Sequence, residues 1–135
     1  MATLEILILQ VNELYRVLLS VMIRGIADES QIPVRVTAPV KNPAHELNLA
    51  NLMGIVNYSL VILDGEEYGD SIAAAVRAAS PDSKIWIATP YSNSPQNVKV
   101  PNFDFVFSAS GASIDLLSPH VRQAAGMSPK RPPYC

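Results

Sequence analysis

The side chains that could do chemistry fall at a few places in the chain. Asp64 follows the aliphatic run YSLVIL, with Glu66 two residues on, and Glu13 closes the segment Gln10-Val11-Asn12-Glu13 after a second run, LEILIL. Carboxylates in such positions suit a hard divalent cation, which takes several oxygen ligands with charge among them. Thr89 ends the run KIWIAT, and Ser108, Ser110 and Ser113 with Gly111 make a small polar stretch whose N–H groups could cradle an anion. Each has a plainer reading beside it. Asp64-Gly65 is a turn pair, Thr89 suits a strand end by β-propensity, and the serine stretch lacks the full phosphate-loop pattern. His45 and His120 have no metal-ligand spacing and read as surface histidines. Trp86 alternates with Ile85 and Ile87 and reads as packing. The one cysteine, Cys135, is the last residue, so no internal disulfide or cysteine-based zinc site is possible and a reducing compartment is expected. No nucleophile motif, zinc motif or dinucleotide fingerprint is present.

These residues sit where strands hand over to loops. Leu4 to Leu9, Ile32 to Ala38, Tyr58 to Leu63, Lys84 to Thr89 and Phe103 to Phe107 have strand character, and Pro33 suits an edge strand for the second. Between them lie segments of helical period. Leu14, Val17, Leu18, Val21 and Met22 have the spacing of one buried helix face, with Asn12 as cap and Glu13 in the first turn. Leu49, Leu52, Met53 and Val56 mark a second helix. Ile72, Ala75, Val76 and Ala79 mark the face of a third, opening at Asp70 and closing at Ser80-Pro81. Pro90 to Asn102 holds three prolines and little periodicity, so a fourth helix there is degraded. Ser118-Pro119 is expected to cap a last helix that runs through Ala125 and stops at Gly126. Strands alternating with helices predict an α/β fold: a doubly wound five-stranded parallel sheet in flavodoxin-like order 2-1-3-4-5, with chemistry at the carboxyl ends of the strands.

Composition narrows the partners. At 135 residues, 49% apolar and 16% charged, the chain suits one folded domain. We read residues 1–126 as that domain and 127–135, which include SPKRPPYC, as a proline-rich tail or the start of a linker. A net charge of −2 with scattered cations argues against direct nucleic-acid binding. The N-terminal run has acid on both sides, unlike a signal peptide, and no stretch reaches the roughly 20 apolar residues of a membrane span. A cytoplasmic protein is expected.

The segment ILILQVNELYRVLL resembles the first strand and helix of response-regulator receiver domains, where an acidic pair follows the strand. YSLVILDGEEYGDSIAAAVRAASPDSKIWIATPY resembles the receiver pattern of a third strand ending in the phosphoacceptor aspartate, a helix, and a fourth strand ending in Thr or Ser. Asp64 and Thr89 fall at those two places. FDFVFSASGASIDLLSPHVRQAA is similar to the fifth strand and final helix. The resemblance runs nearly to Ala125.

It also exposes departures. Receivers hold magnesium with the acidic pair and neutralise the phosphoryl group with a lysine. Here those places read Gln10, Val11 and Ser108. The resemblance therefore implies a degenerate receiver, a pseudo-receiver, in which Asp64 is a vestigial phosphoacceptor position and Gln10, Val11, Asn12, Glu13, Thr89 and Ser108 line a pocket without its metal site. No cofactor and no catalysis are expected. Function passes to surfaces: the fourth helix, fifth strand and final helix, with Tyr91 and Phe105, are the expected face for a protein partner, an output domain or a second copy in a homodimer. Two other readings stand. One is an atypical receiver phosphorylated on Asp64, with Mg2+ held by Glu13 or Glu66; the other is a flavodoxin-like domain binding a small ligand between Asn12, Asp64 and Ser108.

Overall fold

Two mostly aliphatic segments form the middle of the sheet, because strands covered on both faces have little solvent side to make polar. In the computed structural model, which describes residues 3–10, 12–38, 58–64, 70–89 and 104–127, these are β1 (Leu4–Leu9) and β3 (Leu60–Asp64). β2 (Val34–Thr37), β4 (Lys84–Thr89) and β5 (Phe105–Ser108) complete one parallel sheet of order β2-β1-β3-β4-β5. The helices are α1 (Glu13–Glu29), α2 (Asp70–Ala79) and α3 (Ile114–Ala124). The fold class and strand order expected from the sequence are observed. The second helical pattern, the proline-rich 90–103 segment and the tail beyond Met127 lie outside the described residues.

Strand alternation divides the core into two layers. Leu4, Ile6, Ile8, Leu60, Ile62, Trp86, Ala88 and Phe107 turn to the side covered by α1 and α3. Leu7, Leu9, Val61, Leu63, Ile85 and Ile87 turn to the side where Ala73 and Val76 of α2 pack. The edge position of β2 follows from Pro33, which lacks an N–H but offers its carbonyl to the Leu4 N–H at 2.8 Å. At the other edge the Asp104 carboxylate accepts from the Ile85 N–H at 2.8 Å and from the Arg77 guanidinium at 3.0 Å, tying the start of β5 to β4 and α2.

Helix faces are where the structure departs from the sequence pattern. Leu14, Val17, Leu18 and Val21 are 63%, 51%, 44% and 63% exposed, so the face expected inside is outside. α1 runs on to Glu29 and buries Leu19, Ile23, Ile26 and Ala27 instead, a second set at helical spacing. Met22, between the faces, is half-buried against the core. On α2 the buried residues are Ala73 and Val76, while Ala75 and Ala79 are exposed. The last helix starts earlier than Ser118-Pro119: Ser113 is its cap, accepting from the Leu116 N–H at 3.1 Å, and Pro119 lies inside it. A hydroxyl five residues upstream reached the first free N–H, and the helix then passes through the proline. Strand β5 likewise begins at Phe105, after Asp104 has turned its carboxylate to β4.

The end of α1 needs a left-handed residue. Ile32 N–H donates to the Ala27 carbonyl at 2.8 Å and Gln31 N–H to Asp28 at 3.2 Å, a Schellman closure that sets Gln31 at φ 59°. Arg122 of α3 donates to the Ser30 hydroxyl at 2.9 Å just beyond that closure, holding the two helices side by side. Among the described residues no helix is long and apolar enough to cross a membrane.

Candidate functional site

Parallel register carries the strand ends to one edge of the sheet. Leu9 pairs with Leu63, Asp64 with Ala88, and Thr89 with Ser108, so Gln10, Asp64, Thr89 and Ser108 all lie at the carboxyl end. Gln10, Asp64 and Thr89 are buried there, and Ser108 is half-buried. Pleating then separates them. Asp64 continues the face of Leu60 and Ile62, whereas Thr89 continues that of Ile85 and Ile87, and Ser108 shares its side with Val106. Val11, Glu66 and Tyr91 lie outside the described residues.

The oxygens beside Asp64 are already engaged. The Gln10 side-chain oxygen accepts from the Asn12 N–H at 3.2 Å, and the Asn12 oxygen accepts from the Tyr15 N–H at 3.1 Å as the cap of α1. The cap and the first-turn acid, Glu13, are as the sequence predicts. Glu13, with its side chain 83% exposed, stands 3.9 Å from the Arg16 guanidinium. Thr89 donates its hydroxyl to the Phe107 carbonyl at 3.3 Å, and the Ser108 and Ser110 hydroxyls are 2.9 Å apart. In the serine stretch two of the N–H groups are already engaged. Its Gly111 N–H donates to Ser108 at 3.1 Å, its Ala112 N–H to Ala109 at 3.4 Å, and Ser113 caps α3.

A divalent cation of the kind receivers use does not fit the described donors. It needs several oxygens with charge among them, and among the described residues no group of three or more His, Cys, Asp or Glu could hold a metal ion. Two neutral amide oxygens already accepting backbone N–H bonds are poor replacements. A fixed cation beside Asp64 would be needed as well to offset the charge of a bound phosphoryl group, and the Ser108 hydroxyl supplies none.

A second concave region lies at the opposite, amino end of the strands, and the sequence pattern did not single it out. A cavity of about 420 Å³ opens between Lys84, Asp104, Phe105, His120 and Gln123. His120 is not the plain surface histidine expected: its ring stacks on Phe105 with centroids 3.6 Å apart, and Trp86 meets it edge-on at 6.1 Å. Burial holds the His120 imidazole below its ordinary value of 6.5. Phe105 is half-buried, between core and surface. The available signal was the alternation of Trp86, Phe105 and Phe107 on adjacent strands, but only the α3 register brings His120 over them.

A five-stranded parallel sheet of order 2-1-3-4-5 with helices on both faces defines the flavodoxin- and receiver-like class of α/β domains, and here a buried aspartate ends the third strand. Solved structures similar to this chain include response regulators. One from Thermotoga maritima matches with a TM-score of 0.68 at 12% identity, covering 93% of this chain and 99% of that one. TrrA of the same organism, solved with Mg2+ and BeF, matches with a TM-score of 0.65 at 22% identity over 89% and 97%. A LuxR family DNA-binding response regulator from Silicibacter pomeroyi gives 0.65 at 14% over 97% and 98%. At these identities the likeness is one of fold. No family model matches the chain, and no curated protein matches it.

Proposed function

We propose that this chain is a pseudo-receiver: a non-catalytic, cytoplasmic module of signal transduction or transcriptional regulation that works by binding protein without being phosphorylated. The observation that carries the reading is the pair of bonds at the end of β1, where Gln10 and Asn12 give their side-chain oxygens to backbone N–H groups. Gln10 stands at one of the two positions from which the receivers this chain resembles hold magnesium, Asn12 follows the other, which reads Val11, and Ser108 stands where they carry lysine. Phosphoryl transfer onto Asp64 would bring anions together with neither metal nor lysine to offset them. A module whose binding shape is already dominant needs no phosphate-driven population shift. β5 and α3, with the half-buried Phe105, offer the face for a partner or an output domain.

The test is intact mass after incubation with a small-molecule phosphodonor and Mg2+, with Asp64→Asn alongside. Neither protein should gain mass. A phosphoryl group on wild type but not on the variant would overturn the reading and make Asp64 a working switch.

A further inference from the structure

The apolar stripe on α1 has no covering element among the described residues, and three features of it fit a second copy of this chain. Leu14, Leu18, Val21 and Gly25 recur at intervals of four, three and four, which aligns them along one exposed line of the helix. Gly25 is the first feature. Glycine weakens a helix interior, yet a Cβ built there would meet nothing within 4 Å, so no described residue uses the space. The second is symmetry: if two α1 helices pair antiparallel about a twofold between residues 19 and 20, each Leu14 faces the partner's Gly25 and each Leu18 the partner's Val21. A leucine then fills each gap that a glycine leaves.

The third feature is charge. Antiparallel helices bring like flanks together, and Glu13 and Arg24 lie on the same flank of the stripe, both exposed. In this register Glu13 stands opposite the partner's Ile26, two residues and about 3 Å along the axis from the partner's Arg24. Two reciprocal ion pairs result. A cavity of about 390 Å³ on that flank is lined by Val17, Val21 and Ala38 together with Glu13 and Arg24, leaving room for the partner's side chains.

We propose that the chain self-associates through α1, as an antiparallel dimer in which Leu14 of each copy seats over Gly25 of the other. The interface uses neither Asp64 nor β5, so the dimer forms whether or not the pseudo-receiver reading holds. One helix pair is smaller than a standard interface, and the equilibrium is accordingly weak and concentration-dependent.

Sedimentation velocity over a concentration series of the full chain tests it, with circular dichroism verifying that each variant is folded. Gly25→Gln projects into open space in the monomer, and Leu18→Glu changes an exposed side chain. Each should leave the fold intact and raise the dissociation constant at least ~10-fold. Arg24→Glu should weaken the dimer, and adding Glu13→Arg to it should restore association. A wild type that remains monomeric overturns the proposal and leaves the stripe to a helix of a different protein. A dimer unmoved by Leu18→Glu and Gly25→Gln, or a charge swap that restores nothing, also overturns it by assigning the contact to another face.

Discussion

Single side chains decide more here by the partner they have already taken than by their type. Gln10 and Asn12 are both oxygen donors on paper, and both are occupied by N–H groups within three residues. His120 shows the converse: it read as solvent-facing, and its place against Phe105 takes part of the ring out of water. Its pKa is lowered in the fold by burial, so between that value and 6.5 the unfolded chain binds more protons than the folded one. Stability is therefore fully present above 6.5 and declines as pH falls through 6.5 toward the folded value. Thermal midpoints measured on both sides of that range should fall toward acid, and His120→Gln should flatten the slope. The same ring stands edge-on to the only tryptophan, so the fluorescence of Trp86 reports the titration directly.

At the scale of elements, the ends of the helices and the choice of face carry testable energies. Gln31 occupies a left-handed position at the closure of α1, where glycine has no Cβ penalty. Gln31→Gly should raise stability by about 1 kcal/mol in urea unfolding. Ser113→Ala should lower it by about 1 kcal/mol through loss of the α3 cap, an outcome that a helix starting at Ser118 would not produce. Ile23, fully buried on the inner face of α1, should cost ~2–5 kcal/mol when truncated to Ala. The inner face escaped the sequence reading because α1 is apolar on two sides. Hydrophobic periodicity locates an amphipathic stripe only when the opposite side is polar, and here Leu14, Leu18 and Val21 compete with Leu19, Ile23 and Ile26.

For the molecule as a whole, the reading without a metal site has a thermodynamic signature. Anything that binds the folded state alone stabilises it, by about 2.7 kcal/mol at a hundredfold excess over its dissociation constant. Mg2+ with a phosphoryl mimic should leave the thermal midpoint unchanged, and a chelator should do the same. A clear gain with Mg2+ would favour the atypical receiver. The strand sequence by itself determined the fold class, because mostly aliphatic runs such as LEILIL and LVIL, alternating with helical segments, suit the middle of a parallel sheet covered on both faces. It also determined the sheet edge at Pro33, the cap at Asn12, and the positions of Asp64 and Thr89 at strand ends, all of which follow from local chemistry. What only the tertiary structure decided was anything set by packing between distant segments: which face of α1 is inside, how Ser113 displaced Ser118 as a cap, and the stacking of His120 on Phe105. Those outcomes depend on the rotation of each helix about its own axis against the sheet, and helix periodicity leaves that rotation undetermined when more than one apolar stripe is offered.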